Sequence, residues 1–209
     1  QVPDIFGIPE HSMYAASIGA AVGLAHDLGN PPFGHQGEET IRRWFKDHRC
    51  IQKVKGGELS RAQVLDLELW EGNAQAFRLL TRLQVSKGTN GLDLTSATLA
   101  ALMKYTVPSD AIERPGHPAR KKFGYFQDDA LNAEAVLCKV GLKPGLRHPI
   151  AYLMEACDDI AYSVIDIEDA VKKRLLSVND IIACIVREAP EEKDIVKNLK
   201  THVSEMRQD

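Results

Sequence analysis

The sequence predicts an all-α fold with irregular helix packing. Apolar residues recur at helical spacing, as in Ala76, Phe77, Leu79, Leu80 and Leu83, and glycine and proline cut the periodic stretches into helix-length pieces. No segment alternates apolar and polar residues over a strand length, and no internal repeat is present. At 209 residues and a net charge of −3, the chain is sized for a single well-filled domain over 1–209. That charge gives no basic field for nucleic acid and no acidic tail. No apolar run is long enough for a transmembrane helix and no signal peptide opens the chain, so no membrane partner is expected and a cytoplasmic location is. The cysteines, Cys50, Cys138, Cys157 and Cys184, are scattered and read as reduced thiols.

In chain order, residues 1–10 read as an irregular lead-in and 11–28 as the first helix. The small residues of Ile18 to Ala25 mark that helix as buried, and Gly29 with Pro31 and Pro32 stop it. Gly37 to Asp47 forms an amphipathic helix with Ile41, Trp44 and Phe45 on one face. Residues 48–69, weakly patterned around Gly56 and Gly57, read as a surface excursion. A helix follows from Asn73, its N-cap, to Gln84; Gly88 to Gly91 is a turn. Leu94 and Thr95 open a helix whose last turn is Met103, Lys104 and Tyr105, stopped before Pro108. Residues 108–126 are loop and hold the basic-aromatic cluster Arg120 to Phe126. Asp128 to Val140 is helical, Gly141 to Gly145 a turn, and Pro149 to Lys173 the longest helix. A final pair is expected at 178–187 and 190–205.

The stretch Ala25 to Glu38 organises the chemistry. His26 and Asp27 place an imidazole beside a carboxylate at a helix end, a donor set suited to a borderline-to-hard divalent cation. His35 and Glu38, three apart, share a face where the helix restarts. Far along the chain, Asp158, Tyr162 and Asp166 stack at i, i+4 and i+8 on the longest helix. A carboxylate on that stripe is able to complete a metal site begun at His26 and Asp27; its plain reading is a solvated acidic face. His11, His48, His117, His148 and His202 read as solvent-facing. The loop cluster at 120–126 is a solvated loop with packed aromatics or, secondarily, a nucleic-acid contact.

The strings LAHDLGNPPFGHQGE at 24–38 and MEACDDIAYSVIDIEDA at 154–170 resemble the deoxyguanosine triphosphate triphosphohydrolase (dGTPase) branch of the HD-domain phosphohydrolases. The resemblance runs in order over residues 1–185 and is densest at 18–42, 71–105, 123–127 and 149–175. It implies an irregular helical HD-domain fold and hydrolysis of a deoxynucleoside triphosphate, chiefly dGTP, to deoxynucleoside and inorganic tripolyphosphate. It further implies a divalent ion, Mn²⁺ or Mg²⁺ first with Fe, Co, Ni or Zn open, held by His26, Asp27 and Asp158. Tyr162 and Asp166 would line the triphosphate pocket, Lys104 with Tyr105 would contact phosphate, and Asn73 would face the substrate. His35, tuned by Glu38, is the natural proton donor to the leaving oxygen. A homo-oligomer, hexameric in many members, and contact with single-stranded DNA belong to the same expectation. The family's upstream metal histidine has no match, since His11 lacks the Arg-Leu context. A chain opening at Gln1 without methionine is therefore expected to be part of a longer one, with that histidine segment and a C-terminal part outside it. Another HD phosphohydrolase, a nucleotidase or phosphodiesterase, and a non-catalytic nucleotide sensor or DNA-binding subunit remain as alternatives.

Overall fold

The computed structural model describes residues 9–48, 53–54, 57–84, 91–113 and 116–205. The expected lead-in over 1–8, residues 88–90 of the expected turn, and Cys50 lie outside the described residues. The helices are α1 (Pro9–Ala25), α2 (Gly34–Asp47), α3 (Arg61–Glu68), α4 (Gly72–Arg78), α5 (Ser96–Leu102), α6 (Ala130–Lys139), α7 (Pro149–Lys172), α8 (Val178–Glu188) and α9 (Lys193–Glu205). Among the described residues the strands are the two-residue pair Lys53–Val54 and Gly57–Glu58, joined antiparallel. The fold is all-α, as the periodicity predicts. No helix among the described residues is long and apolar enough to cross a membrane. The chain divides into two compact units, Gln1–Glu155 and Ala156–Asp209, with the division inside α7.

In the first unit the core is built around α5. Its Leu99, Ala100, Ala101 and Leu102 are buried with Val22 and Ala25 of α1, Phe77 of α4, Leu80 just beyond it, and Ala133, Val136 and Leu137 of α6. Burial of a side chain the size of Phe77 or Leu137 stabilises by roughly 1.5–3 kcal/mol. α1 and α6 both pack against α5. A second cluster joins Ala74, Phe123 and Phe126, with Leu69, Trp70 and Ile112 against it.

Several boundaries differ from the sequence expectation. The run Ile18 to Ala25 is buried along one stripe only, for Val22 is fully enclosed while Leu24 is exposed. Residues 48–69 hold α3 because Ser60 and Gln63 form a reciprocal capping box: Gln63 N–H donates to Ser60 Oγ (3.2 Å) and Ser60 N–H to Gln63 Oε1 (3.0 Å). Asn73 is not the N-cap; Glu71 occupies that position and Asn73 Nδ2 donates to its carboxylate (2.7 Å). The helix after it does not run evenly to Gln84 but widens into a π turn at Leu79–Leu83. There Leu92 N–H donates to Leu80 O (2.9 Å), and Gly91, at φ +62, lies against the same carbonyl. α5 stops at Leu102, so Lys104 and Tyr105 sit in the segment beyond it. The described residues of 108–126 are loop with short 3-10 turns, as expected, and the aromatics there are packed: Phe123, Tyr125 and Phe126 are buried with Ala119, while Lys121 is exposed. Main-chain bonds pin it, with Thr106 N–H donating to Ala119 O (3.2 Å) and Gly124 N–H to Val107 O (3.0 Å). His148 is half-buried rather than solvent-facing, and burial lowers its pKa. His11, His48 and His117 are exposed, and the side chain of His202 lies outside the described residues.

The second unit holds the rest of α7, then α8 and α9, which contact each other. α7 ends where Arg174 takes a left-handed backbone (φ 58), with Leu175 N–H reaching back to Ala170 O (2.8 Å). A capping box of Ser177 and Asp180 starts α8, and those hydrogen bonds hold the Asp180 carboxyl below its ordinary range. Cys157 and Cys184 in this unit, like Cys138 in the first, are free and exposed.

Candidate active site

α1 ends at Ala25, and His26 continues its hydrogen bonding, its N–H donating to Val22 O (2.9 Å). The imidazole Nδ1 lies 2.8 Å from Gly23 O; a carbonyl only accepts, so Nδ1 donates this hydrogen bond. Nε2 is shielded from solvent and stands 3.5 Å from Asp27 Oδ1. The half-exposed Asp27 accepts from Asn30 Nδ2 (2.7 Å), which closes the turn. Gly29 then presses onto the start of α4, where a Cβ would lie 2.0 Å from Gly72 O and 2.2 Å from Ala76 N. That contact fixes the loop after His26 and Asp27 against α4.

Phe33 and Gly34 both take left-handed backbone (φ 68 and 53) and reverse the chain into α2. His35 is exposed to 92% of its side chain, whereas Glu38, one turn on, is buried. His35 Nδ1 lies 3.6 Å from Glu38 Oε2. Glu38 Oε1 accepts from Gly72 N–H (2.9 Å) and Oε2 from Arg42 Nη2 (3.0 Å). The same Arg42 Nη2 reaches Glu71 Oε2 (3.1 Å), and Arg42 Nε donates to Trp70 O (2.7 Å). Lys122 Nζ completes the group, 2.8 Å from Glu71 Oε2 and 3.8 Å from Glu38 Oε2. Two buried carboxylates are thus matched by two cations, which is how buried charge is tolerated. The inward face of α2 is therefore in part a polar one, while Trp44, expected on its packing face, is exposed and stacks on His48 at 4.6 Å. A cavity of about 140 Å³ lies over Arg42, Glu71 and Lys122 and is too small for a nucleotide.

On the other side of Tyr105 stands a second ionic group. Lys104 Nζ is 2.8 Å from Glu155 Oε1, and Arg147 Nη1 is 2.8 Å from Glu155 Oε2. Arg147 Nη2 donates to Pro118 O (3.1 Å). Burial acts to raise the Glu155 carboxyl, but hydrogen bonds and charge from Lys104 and Arg147 outweigh it and hold it below the ordinary range. The Tyr105 ring lies within cation–π reach of both Lys122 (5.9 Å) and Arg147 (5.7 Å). Burial, then the charge of Glu71, pushes its phenol up to about 12, so it stays protonated at neutral pH.

The first unit thus brings together His26 with Asp27, His35 with Glu38, and Asn73 with Glu71, and it places Tyr105 between the two ionic groups. Asp158, Tyr162 and Asp166 belong to the second unit, on α7. At His26 and Asp27 an imidazole nitrogen stands beside a carboxylate, two donor types that divalent ions take. Among the described residues no group of three His, Cys, Asp or Glu side chains is arranged to hold one.

No family model matches the chain. A deoxyguanosinetriphosphate triphosphohydrolase-like protein of Pseudomonas aeruginosa is 42% identical over 169 residues, 78% of this chain and 37% of that protein. Its counterpart in Listeria monocytogenes is 41% identical over 180 residues, 83% of this chain and 38% of that protein. A deoxyguanosinetriphosphate triphosphohydrolase of Enterobacter sp. is 36% identical over 205 residues, 85% of this chain and 39% of that protein. Over about four fifths of its own length the chain is similar to deoxyguanosinetriphosphate triphosphohydrolases. It spans about two fifths of the length of these relatives.

Sequence reasoning does not point to Arg42, Glu71, Lys122, Arg147 and Glu155 as site residues. Glu38 and Arg42 are visible as an i, i+4 pair, and Glu71 as a carboxylate just ahead of a helix. Lys122 carries no local signal, because its partner Glu71 is distant in the chain.

Proposed function

We propose that the chain contributes the hydrolytic centre of a deoxynucleoside triphosphate triphosphohydrolase acting on dGTP first. The observation that supports this most is the pairing of His26 with Asp27, on a loop that ends at the His35–Glu38 pair, in a chain with this similarity. His26 Nε2 and Asp27 would hold a divalent ion, Mn²⁺ or Mg²⁺, with Asp158 as the third protein ligand. Bound there, the ion supplies Lewis acidity at the α-phosphate. Water attacks the α-phosphorus, the bond from phosphorus to the 5′-oxygen breaks, and tripolyphosphate departs from the deoxynucleoside. The exposed imidazole of His35 delivers a proton to that 5′-oxygen, and Glu38 holds the ring facing it. Lys104, Tyr105 and Asn73 would supply cation and donors toward the triphosphate, and Tyr162 and Asp166 would be further substrate contacts. Assembly into a homo-oligomer and contact with single-stranded DNA belong to the same reading; the aromatics of the 120–126 segment are buried and offer no open stacking faces.

The test is product analysis by ³¹P NMR after incubation with each dNTP and Mn²⁺ or Mg²⁺. Tripolyphosphate with free deoxynucleoside is the expected result. Orthophosphate or pyrophosphate would instead make the protein a different phosphohydrolase, and bound but unhydrolysed nucleotide a sensor. His35→Ala is expected to abolish turnover and keep metal binding, while Asp158→Ala loses both.

A further inference from the structure

Glu38 gives each of its oxygens a different task. Oε1 is fixed by Gly72 N–H at 2.9 Å, so the carboxylate cannot turn without leaving a buried amide unpaired. Oε2 alone is then available to His35, and it is shared: Arg42 Nη2 takes it at 3.0 Å, with Lys122 Nζ at 3.8 Å and His35 Nδ1 at 3.6 Å. Arg42 is itself clamped by Trp70 O and Glu71, and Glu71 draws Lys122 away at 2.8 Å. We propose that Arg42 and Glu71 are positioning residues that set how much of the Glu38 carboxylate His35 receives. Arg42 fixes Oε2 in place and competes for it; Glu71 offsets that competition by holding Arg42 and Lys122 on its own oxygens. The inference deepens the proposed reaction, in that it rests on His35 as the proton donor, but the geometry it concerns is independent of turnover.

The charged groups facing this pair are Glu38, Glu39 and Arg42 on α2, Glu71 ahead of α4, and Lys122, with the neutral Tyr105 phenol behind. Removing one cation or one anion must therefore move the His35 equilibrium in opposite directions. The experiment follows the His35 ring by ¹H–¹⁵N NMR across pH in the unmodified protein and in Arg42→Gln, Arg42→Lys and Glu71→Gln, with circular dichroism to establish folding. Arg42→Gln is expected to carry the titration midpoint upward by roughly 0.3–1 unit, the size of one charge near a solvent-exposed group. Glu71→Gln is expected to carry it downward by a similar amount, and Arg42→Lys to return it to the unmodified value. Equal midpoints in all variants, or shifts of the same sign, overturn the proposal and leave Arg42 as a purely structural residue. Should Arg42→Gln fail to fold, the direction seen in Glu71→Gln decides. On dNTP turnover, Arg42→Lys is expected to lower kcat about tenfold with KM unchanged, since the fork that fixes Oε2 is lost while the charge stays. Absence of turnover in the unmodified protein would remove the proposed reaction and leave the NMR result standing on its own.

Discussion

Phe33 holds a left-handed backbone at φ 68 with its ring 90% exposed, so no burial offsets the strain of a bulky residue there. An L-residue in that region costs about 1–2 kcal/mol, part of which returns as the extra chain entropy glycine loses on folding. Phe33→Gly is expected to stabilise by about 0.5–1 kcal/mol, read as a higher urea midpoint. Strain of this kind beside His35 is what a functional turn tolerates. Asp66 shows a different residue-scale effect. It is buried, its Oδ2 accepts from Gln127 N–H at 2.7 Å, and its Oδ1 has no partner among the described residues. Burial raises its pKa above 3.8, more than the hydrogen bonds from Ser109 and Gln127 lower it. The folded state therefore binds the proton more tightly than the unfolded chain. The stability this gives is present below the ordinary carboxyl value and is lost as pH rises through the folded one. Asp66→Asn keeps an acceptor for Gln127 and supplies a permanent N–H. Thermal midpoints at pH 7 are expected to rise in the variant, and the gap to close toward pH 3.

Helix termini were legible in the sequence wherever a residue stops or starts a helix by its own chemistry. Gly29 with Pro31 and Pro32 marks the end of α1 and Pro149 the start of α7, and both helices respect these marks within a few positions. α3 is masked in the sequence by the neighbouring Gly56 and Gly57, and its start rests on the capping box of Ser60 and Gln63. The π turn at Leu79–Leu83 was illegible for a deeper reason: it depends on Leu92 capturing the Leu80 carbonyl from outside the helix. Gly91 permits this approach, since a Cβ there would lie 2.1 Å from Leu80 O. Gly91→Ala is expected to cost about 2 kcal/mol or more, through both φ and the clash, measured by urea unfolding. Restoration of a regular α-helix through 79–83 with unchanged stability would contradict the account.

At the scale of the molecule, His26, Asp27, His35 and Glu38 were readable because they lie within one short stretch. The groups that hold them were not, because Arg42, Glu71 and Lys122 meet only after α2, α4 and the 118–126 segment have packed. Glu155 carries a pH dependence of the opposite sign to Asp66. Its folded carboxyl is depressed by Lys104 and Arg147, so its contribution is full above 4.5 and is lost as pH falls through the folded value. Glu155→Gln is expected to flatten the acid limb of a stability–pH curve. At pH 7 it is expected to cost about 1–2 kcal/mol, because Arg147, only 3% exposed, loses its counter-ion. The quartet of Glu38, Glu71, Arg42 and Lys122 has a parallel consequence for how such a protein is able to change over generations. Two negative and two positive side chains balance only as a set, so a lone exchange that removes or reverses a charge at any of the four leaves an odd charge there. Viable lineages are then expected to alter these positions in compensating pairs, an acid and a base together, making 38, 42, 71 and 122 a linked unit of inheritance despite their separation along the chain.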